Sequence, residues 1–180
     1  GPGEGKSTLA SNLAVAFARE GNSVVLVDTD LRRPVQHLLF EINDPDICGV
    51  VDVLNGSASV DQALKPTSVN GLKVITAGTP PENPDHLLRG PKFKILKNRL
   101  NEIADIVVYD SPPVLVVSDP LILAEGIDLV IMVSAAGSTK RKAARHGAEA
   151  LRRPTIGALV GVLTKQRTGV SGYGYNYGYG

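Results

Sequence analysis

The stretch GPGEGKSTLASNLAVAFAREGNSVVLVDTD, residues 1–30, decides the fold. It opens on a glycine-rich run that closes as Gly5-Lys6-Ser7-Thr8, the second half of the pattern G-x-x-x-x-G-K-[ST]. In that pattern a glycine loop runs straight into a helix. Its glycines let successive backbone N–H groups close around phosphate oxygens, and the positive end of the helix adds to the field. Gly1, Gly3, Glu4, Gly5, Lys6, Ser7 and Thr8 are therefore the expected nucleotide-binding residues. Lys6 meets the β- and γ-phosphates as a mobile point charge, and the Ser7 hydroxyl meets Mg²⁺. A glycine turn that merely starts a helix is the bland alternative. The complete pattern has one further position before Gly1 and a buried strand before that. The chain is thus expected to start inside the motif of a longer protein, with the first strand of its sheet missing.

Working outward, Leu9, Leu13, Ala16 and Phe17 recur at helical spacing up to a stop at Gly21, and the β-branched run SVVLVDTD follows as a strand. Segment 34–71 reads as turns and short helical pieces, VVDVLNG and SVDQALK. LKVITAG at 72–78 reads as a strand and TPPENP as a rigid loop, and KFKILKNRLNEIA at 92–104 is an amphipathic helix. IVVYD at 106–110 is a strand, DPLILAEG a short helix, DLVIMVS at 128–134 a strand, TKRKAARHGAEALRR at 139–153 a basic helix and IGALVGVL at 156–163 the last strand. Helices alternating with apolar strands predict an α/β fold, a mostly parallel sheet with helices on both faces. The expected organisation is one domain over residues 1–167 and a flexible, low-complexity, tyrosine-rich tail over 168–180.

The bulk properties narrow the class. A chain of 180 residues with 43% hydrophobic and 21% charged residues suits one domain with a real core. A net charge of +1 gives no global pull toward nucleic acid or membrane, and no nucleic-acid partner is expected. The single cysteine, Cys48, excludes an internal disulfide and reads as a small buried residue. The apolar run LVIMV at 129–133 is far too short to cross a bilayer. His37, His86 and His146 lack metal-ligand spacing. The basic positions Lys140, Arg141, Lys142, Arg145, Arg152 and Arg153 read as a solvated helix face, with a partner surface as the alternative.

Three acids carry chemistry. Asp110 ends an apolar strand, where ligands sit in open α/β sheets, and can help to hold Mg²⁺. Asp28 and Asp30 are expected to close one strand with their side chains on the same side. Such a pair is tolerable if a cation lies between them or one takes up a proton; the alternative for Asp28 is a cap for the next turn. Arg32 and Arg33 are placed to pair with these acids or with phosphate. At the far end Tyr173, Tyr175, Tyr177 and Tyr179 alternate with glycine and one asparagine. Taken alone, that pattern is equally a sticky linker or an edge segment.

Together, GPGEGKST, the D-x-D-x-R strand VVLVDTDLRRP, the strand VVYDSPP and the tyrosine tail resemble the bacterial tyrosine kinases, P-loop enzymes tied to capsule and exopolysaccharide production. PENPDHLL at 81–88 and VSDP at 117–120 also resemble family stretches, and the likeness runs through nearly the whole chain in order. The resemblance implies a P-loop NTPase fold of the deviant Walker ATPase kind, with ATP and Mg²⁺ as cofactors. It implies a non-specific protein-tyrosine kinase in which Lys6, Asp28, Asp30 and Asp110 are catalytic. Ser7, Asp30 and Asp110 then hold the metal, and Asp28 accepts the proton of an attacking tyrosine. Tyr173, Tyr175, Tyr177 and Tyr179 become the autophosphorylation sites, each offered to a neighbouring subunit in a ring. Further implications are a fused or separate membrane chain-length regulator as activator, other tyrosine-bearing proteins as substrates, and a cytoplasmic place at the inner face of the plasma membrane. Two positions depart from the family: His86 stands where an acid is commoner, and Thr164 or Lys165 where an asparagine often reaches the adenine. Two rival readings remain. A partitioning-type ATPase needs a lysine where Gly1 stands, and a catalytically silent module would offer its tail to another kinase.

Overall fold

A computed structural model describes residues 1–42, 48–152 and 155–166. The expected tail, residues 168–180 with Tyr173, Tyr175, Tyr177 and Tyr179, lies outside the described residues, as does Arg153.

The centre of the fold is β1 (Val24–Asp28), buried along its whole length. Such a strand reads as an unbroken apolar run because both of its faces are covered. Alternate side chains enter two cores: Val25 and Val27 one, Val24 and Leu26 the other. The second core is closed by α1 (Lys6–Arg19). The first is closed largely by α6 (Pro91–Ile103), whose Phe93, Leu96 and Leu100 form a stripe at helical spacing. β1 pairs in parallel with β3 (Leu72–Ile75) on one side and β4 (Ile106–Asp110) on the other. A two-residue strand missed by the sequence reading, β2 (Lys65–Pro66), adds antiparallel to the edge of β3.

The sheet is mainly parallel, as expected, and only its continuity needs a correction. β5 (Leu129–Ala135) and β6 (Ala158–Thr164) form a separate parallel pair. Between β4 and β5 lies an apolar cleft of about 820 Å³, with Gly1 at its lining.

The same cleft explains a second correction. α1 does not bury Leu9, Leu13, Ala16 and Phe17; its buried residues are Ala10, Ser11, Ala14 and Ala18. Small side chains let the helix axis approach β1 and β3, while Leu9, Leu13 and Phe17 line the cleft. Cys48 is half-buried rather than buried, its thiol 3.7 Å from the Gln62 carbonyl.

The remaining helices are short: α2 (Gln36–Leu39), α3 (Val50–Asn55), α4 (Val60–Ala63), α5 (Pro84–Arg89) and α7 (Asp119–Leu123). The basic helix is α8 (Arg141–Leu151), which exposes Arg141, Lys142 and Arg145 and buries Gly147 and Leu151. Among the described residues no helix is long and apolar enough to cross a membrane.

Candidate functional site

The loop ahead of α1 has the backbone an anion site needs. Gly3 and Gly5 take positive φ angles of 70° and 89°, which other residues adopt only at a cost. α1 then starts with no side-chain cap and no acid in its first turn, so its leading N–H groups and its dipole are uncommitted. The Lys6 ammonium arches back to the Gly1 carbonyl at 3.1 Å, on the loop side of the helix. Thr8 is exposed.

Glu4 behaves differently from the rest of the loop. Its side chain is buried, and its carboxylate accepts from the Thr139 hydroxyl. Its carbonyl accepts from the Thr164 hydroxyl at 2.6 Å, and the Lys165 ammonium reaches the Gly3 carbonyl. Glu4 thus anchors the loop to the ends of β5 and β6, and what it has left for a phosphate is its backbone N–H.

The three acids converge beside the loop. Asp28 and Asp110 are register partners across the β1–β4 ladder, so both carboxylates leave adjacent strand ends. Asp30 does not share the strand. β1 stops at Asp28, and the Asp30 carboxylate accepts from the backbone N–H of Arg32 at 3.3 Å and of Arg33 at 3.0 Å, closing the turn that follows.

Asp28 is fully buried and held by three backbone N–H groups. One oxygen accepts from Asp30 at 3.2 Å, the other from Val35 at 3.0 Å and Gln36 at 2.9 Å. The capping alternative therefore describes its contacts. Desolvation pushes its pKa up to about 7; those N–H groups oppose the rise, and the charge of Asp110 adds to it. Burial also raises Asp110. The Gln36 amide and the Ser7 hydroxyl pull it back, and the Asp30 charge pushes again. Two buried carboxyls side by side, both raised by desolvation, are an arrangement that can take or hold a proton.

Arg32 turns away from Asp28 and Asp30, against expectation. Its guanidinium bonds Asp119 at 3.1 Å and pairs with Asp85, which also accepts from the Ser118 hydroxyl at 2.6 Å. This bracket ties the first turns of α5 and α7, the PENPDHLL and VSDP stretches, to the end of β1. Asp119 is fully buried and one of its oxygens, Oδ1, has no partner.

The donors fit Mg²⁺ with a nucleotide. Ser7, Asp30 and Asp110 offer hard oxygen ligands next to a phosphate cradle, the combination Mg²⁺ prefers. No group of three or more His, Cys, Asp or Glu among the described residues could hold a metal alone, so phosphate oxygens would have to complete the shell.

Sequence reasoning missed Gln36, Thr139 and Asp119. Gln36 stood in the segment without readable periodicity, and the other two act through contacts more than 80 residues away in the chain.

Comparison with known proteins gives the family and the fold. The family model ParA, described as NUBPL iron-transfer P-loop NTPase, matches residues 2–163. The chain is 38% identical over 177 residues to tyrosine-protein kinase YwqD of Bacillus subtilis (strain 168), covering 97% of this chain and 73% of that protein. Among solved structures, the kinase domain of Escherichia coli tyrosine kinase ETK superposes with a TM-score of 0.81 at 30% identity, covering 97% of this chain and 69% of that one. The Pyrococcus furiosus cell division ATPase MinD superposes with a TM-score of 0.75 at 24% identity, covering 89% and 67%, and shares the fold.

Proposed function

The chain belongs to the bacterial tyrosine kinases within the P-loop NTPases, and on that premise we propose that it transfers the γ-phosphoryl group of ATP to tyrosine hydroxyls. The observation that carries the reading is the β1–β4 register, which sets Asp28 beside Asp110 next to the uncapped start of α1.

Each residue then has a task. The loop N–H groups and Lys6 bind and orient the terminal phosphates, and Ser7, Asp30 and Asp110 hold Mg²⁺. Held there, Mg²⁺ would supply positive charge against the phosphates, while Lys6 and the loop N–H groups orient them. Asp28, with its pKa pushed up to about 7, is ionised in a useful fraction at neutral pH and accepts the phenolic proton. A phenol ordinarily titrates near ~10, so a base beside it assists attack. In this reading Tyr173, Tyr175, Tyr177 and Tyr179 are the substrates, offered between subunits of a ring. Each phosphate adds about −1.5 to −2 charges, enough for neighbouring tails to repel. The activator is a membrane chain-length regulator, fused or separate. Other tyrosine-bearing proteins are further substrates, and the site of action is the cytoplasmic face of the membrane, in control of capsular or exopolysaccharide synthesis.

The test is incubation of the full-length protein with Mg-ATP and its membrane activator, with phosphotyrosine mapped by mass spectrometry and Lys6→Ala alongside. Phosphate on Tyr173–Tyr179 that disappears in the variant supports the kinase. ATP turnover without phosphotyrosine would move the assignment to a partitioning-type ATPase. Labelling by a separate active kinase, with none by the protein itself, would make it a silent module.

A further inference from the structure

Gln36 makes three buried side-chain hydrogen bonds beside the site, and the proposed function leaves it without a task. It opens α2 and is fully buried. Its Nε2 donates to Asp110 Oδ2 at 2.8 Å and to the Ser7 carbonyl at 3.2 Å. Its Oε1 accepts from the Ser11 hydroxyl at 2.9 Å, and that hydroxyl is also 2.7 Å from the Ser7 carbonyl. Its backbone N–H donates to Asp28 Oδ2.

One residue therefore touches both buried carboxylates and the helical turn that carries Ser7. A flipped amide would set its oxygen against both Asp110 Oδ2 and the Ser7 carbonyl, two acceptors, so its orientation is set. The oxygen of Asp110 that it engages is Oδ2, and the same carboxyl is also bonded by the Ser7 hydroxyl. Packing alone does not require this: a methionine fills nearly the same volume without the polar bonds.

We propose that Gln36 is a positioning residue that locks the Asp110 carboxylate in the orientation needed for Mg²⁺, and that Ser11 fixes Gln36 in turn. The assignment rests on the Mg-nucleotide reading above. Gln36 itself touches neither metal nor phosphate; it acts through Asp110 and Ser7. Partners that orient metal ligands typically change metal affinity by about 10–100-fold when removed.

Calorimetric titration of ADP into the full-length protein, once with EDTA and once with Mg²⁺, tests this without any turnover. In wild type Mg²⁺ tightens ADP binding. In Gln36→Met the EDTA affinity stays within about twofold, while the Mg²⁺ enhancement falls by about tenfold or more. Ser11→Ala, a milder change outside the phosphate loop, loses part of the same enhancement. In the metal-free protein, urea denaturation of Gln36→Met, Asp110→Asn and the double variant gives non-additive stabilities. If both variants keep the full Mg²⁺ enhancement and differ from wild type in denaturation midpoint alone, Gln36 is a structural tie and the proposal is overturned. A wild type indifferent to Mg²⁺ overturns the nucleotide reading as well, so the two failures are told apart by wild type.

Discussion

Replacing Asp28 by asparagine should become more favourable to stability as pH rises. In the fold the carboxyl titrates at about 7 against an ordinary 3.8, because burial disfavours its charge. Between those values the folded state binds more protons than the unfolded state, so this group makes stability fall as pH rises from about 4 to about 7, and adds no slope above that. Taken over the whole interval, three pKa units correspond to about 4 kcal/mol, of which about 2–3 kcal/mol falls between pH 5 and pH 8. Asparagine does not titrate and removes that slope. It also offers one acceptor oxygen where the carboxylate serves Asp30, Val35 and Gln36 through two, a loss of about 1–3 kcal/mol at every pH. Relative to wild type the variant should therefore gain about 2–3 kcal/mol between pH 5 and pH 8, ending the more stable of the two. Urea denaturation in EDTA at unit pH steps measures this. Asp119 is also raised by burial and largely cancels in the difference between the two proteins, whereas Asp110, whose charge acts on Asp28, responds to the same substitution and belongs to the measured difference. A difference that stays constant from pH 5 to pH 8 would refute the claim that Asp28 is the strained ionisation.

Three further outcomes follow from the geometry. Lys6→Ala should lower phosphoryl transfer by at least about a hundredfold, because a charge aimed at the transferring group is lost, while the denaturation midpoint barely moves. Gly49→Ala should cost about 1–3 kcal/mol or more: a Cβ there would lie 2.2 Å from the Gly78 nitrogen and 2.3 Å from the Thr76 carbonyl, both backbone atoms, and an unchanged melting temperature would contradict that contact. Arg32→Met should destabilise by about 1–3 kcal/mol by leaving the buried Asp119 beside Asp85 without its cation. Because the Asp85 end is exposed, most of the effect belongs to Asp119, and adding Asp119→Asn to Arg32→Met should cost less than the sum of the two.

Much of the site was legible before the structure because its signals are local. Gly5-Lys6-Ser7 is contiguous, and its chemistry depends on consecutive backbone N–H groups. β1 and β4 announce themselves as apolar runs ending in acids, since a strand buried on both faces has no polar positions to spare. Helical spacing located α1 and α6, although for α1 it pointed to the wrong face: Leu9, Leu13 and Phe17 line the cleft, and alanines make the close contact with the sheet.

What stayed hidden depends on which chain segments meet. No spacing in the sequence says that Asp28 and Asp110 are register partners, that Arg32 leaves them for Asp85 and Asp119, or that Glu4 belongs to the loop's anchor. Gln36 looks like any surface glutamine in a turn-rich segment until the fold buries it among Ser7, Ser11 and Asp110. The sequence by itself determined the phosphate loop, the acid-tipped strands and the alternation that makes an α/β fold, because these follow from backbone conformation and hydrophobic periodicity over a few residues. The tertiary structure alone decided which acid is desolvated, which is a cap and which arginine pairs with which carboxylate. Those properties depend on burial and on distances between residues far apart in the chain, and neither exists until the chain has packed.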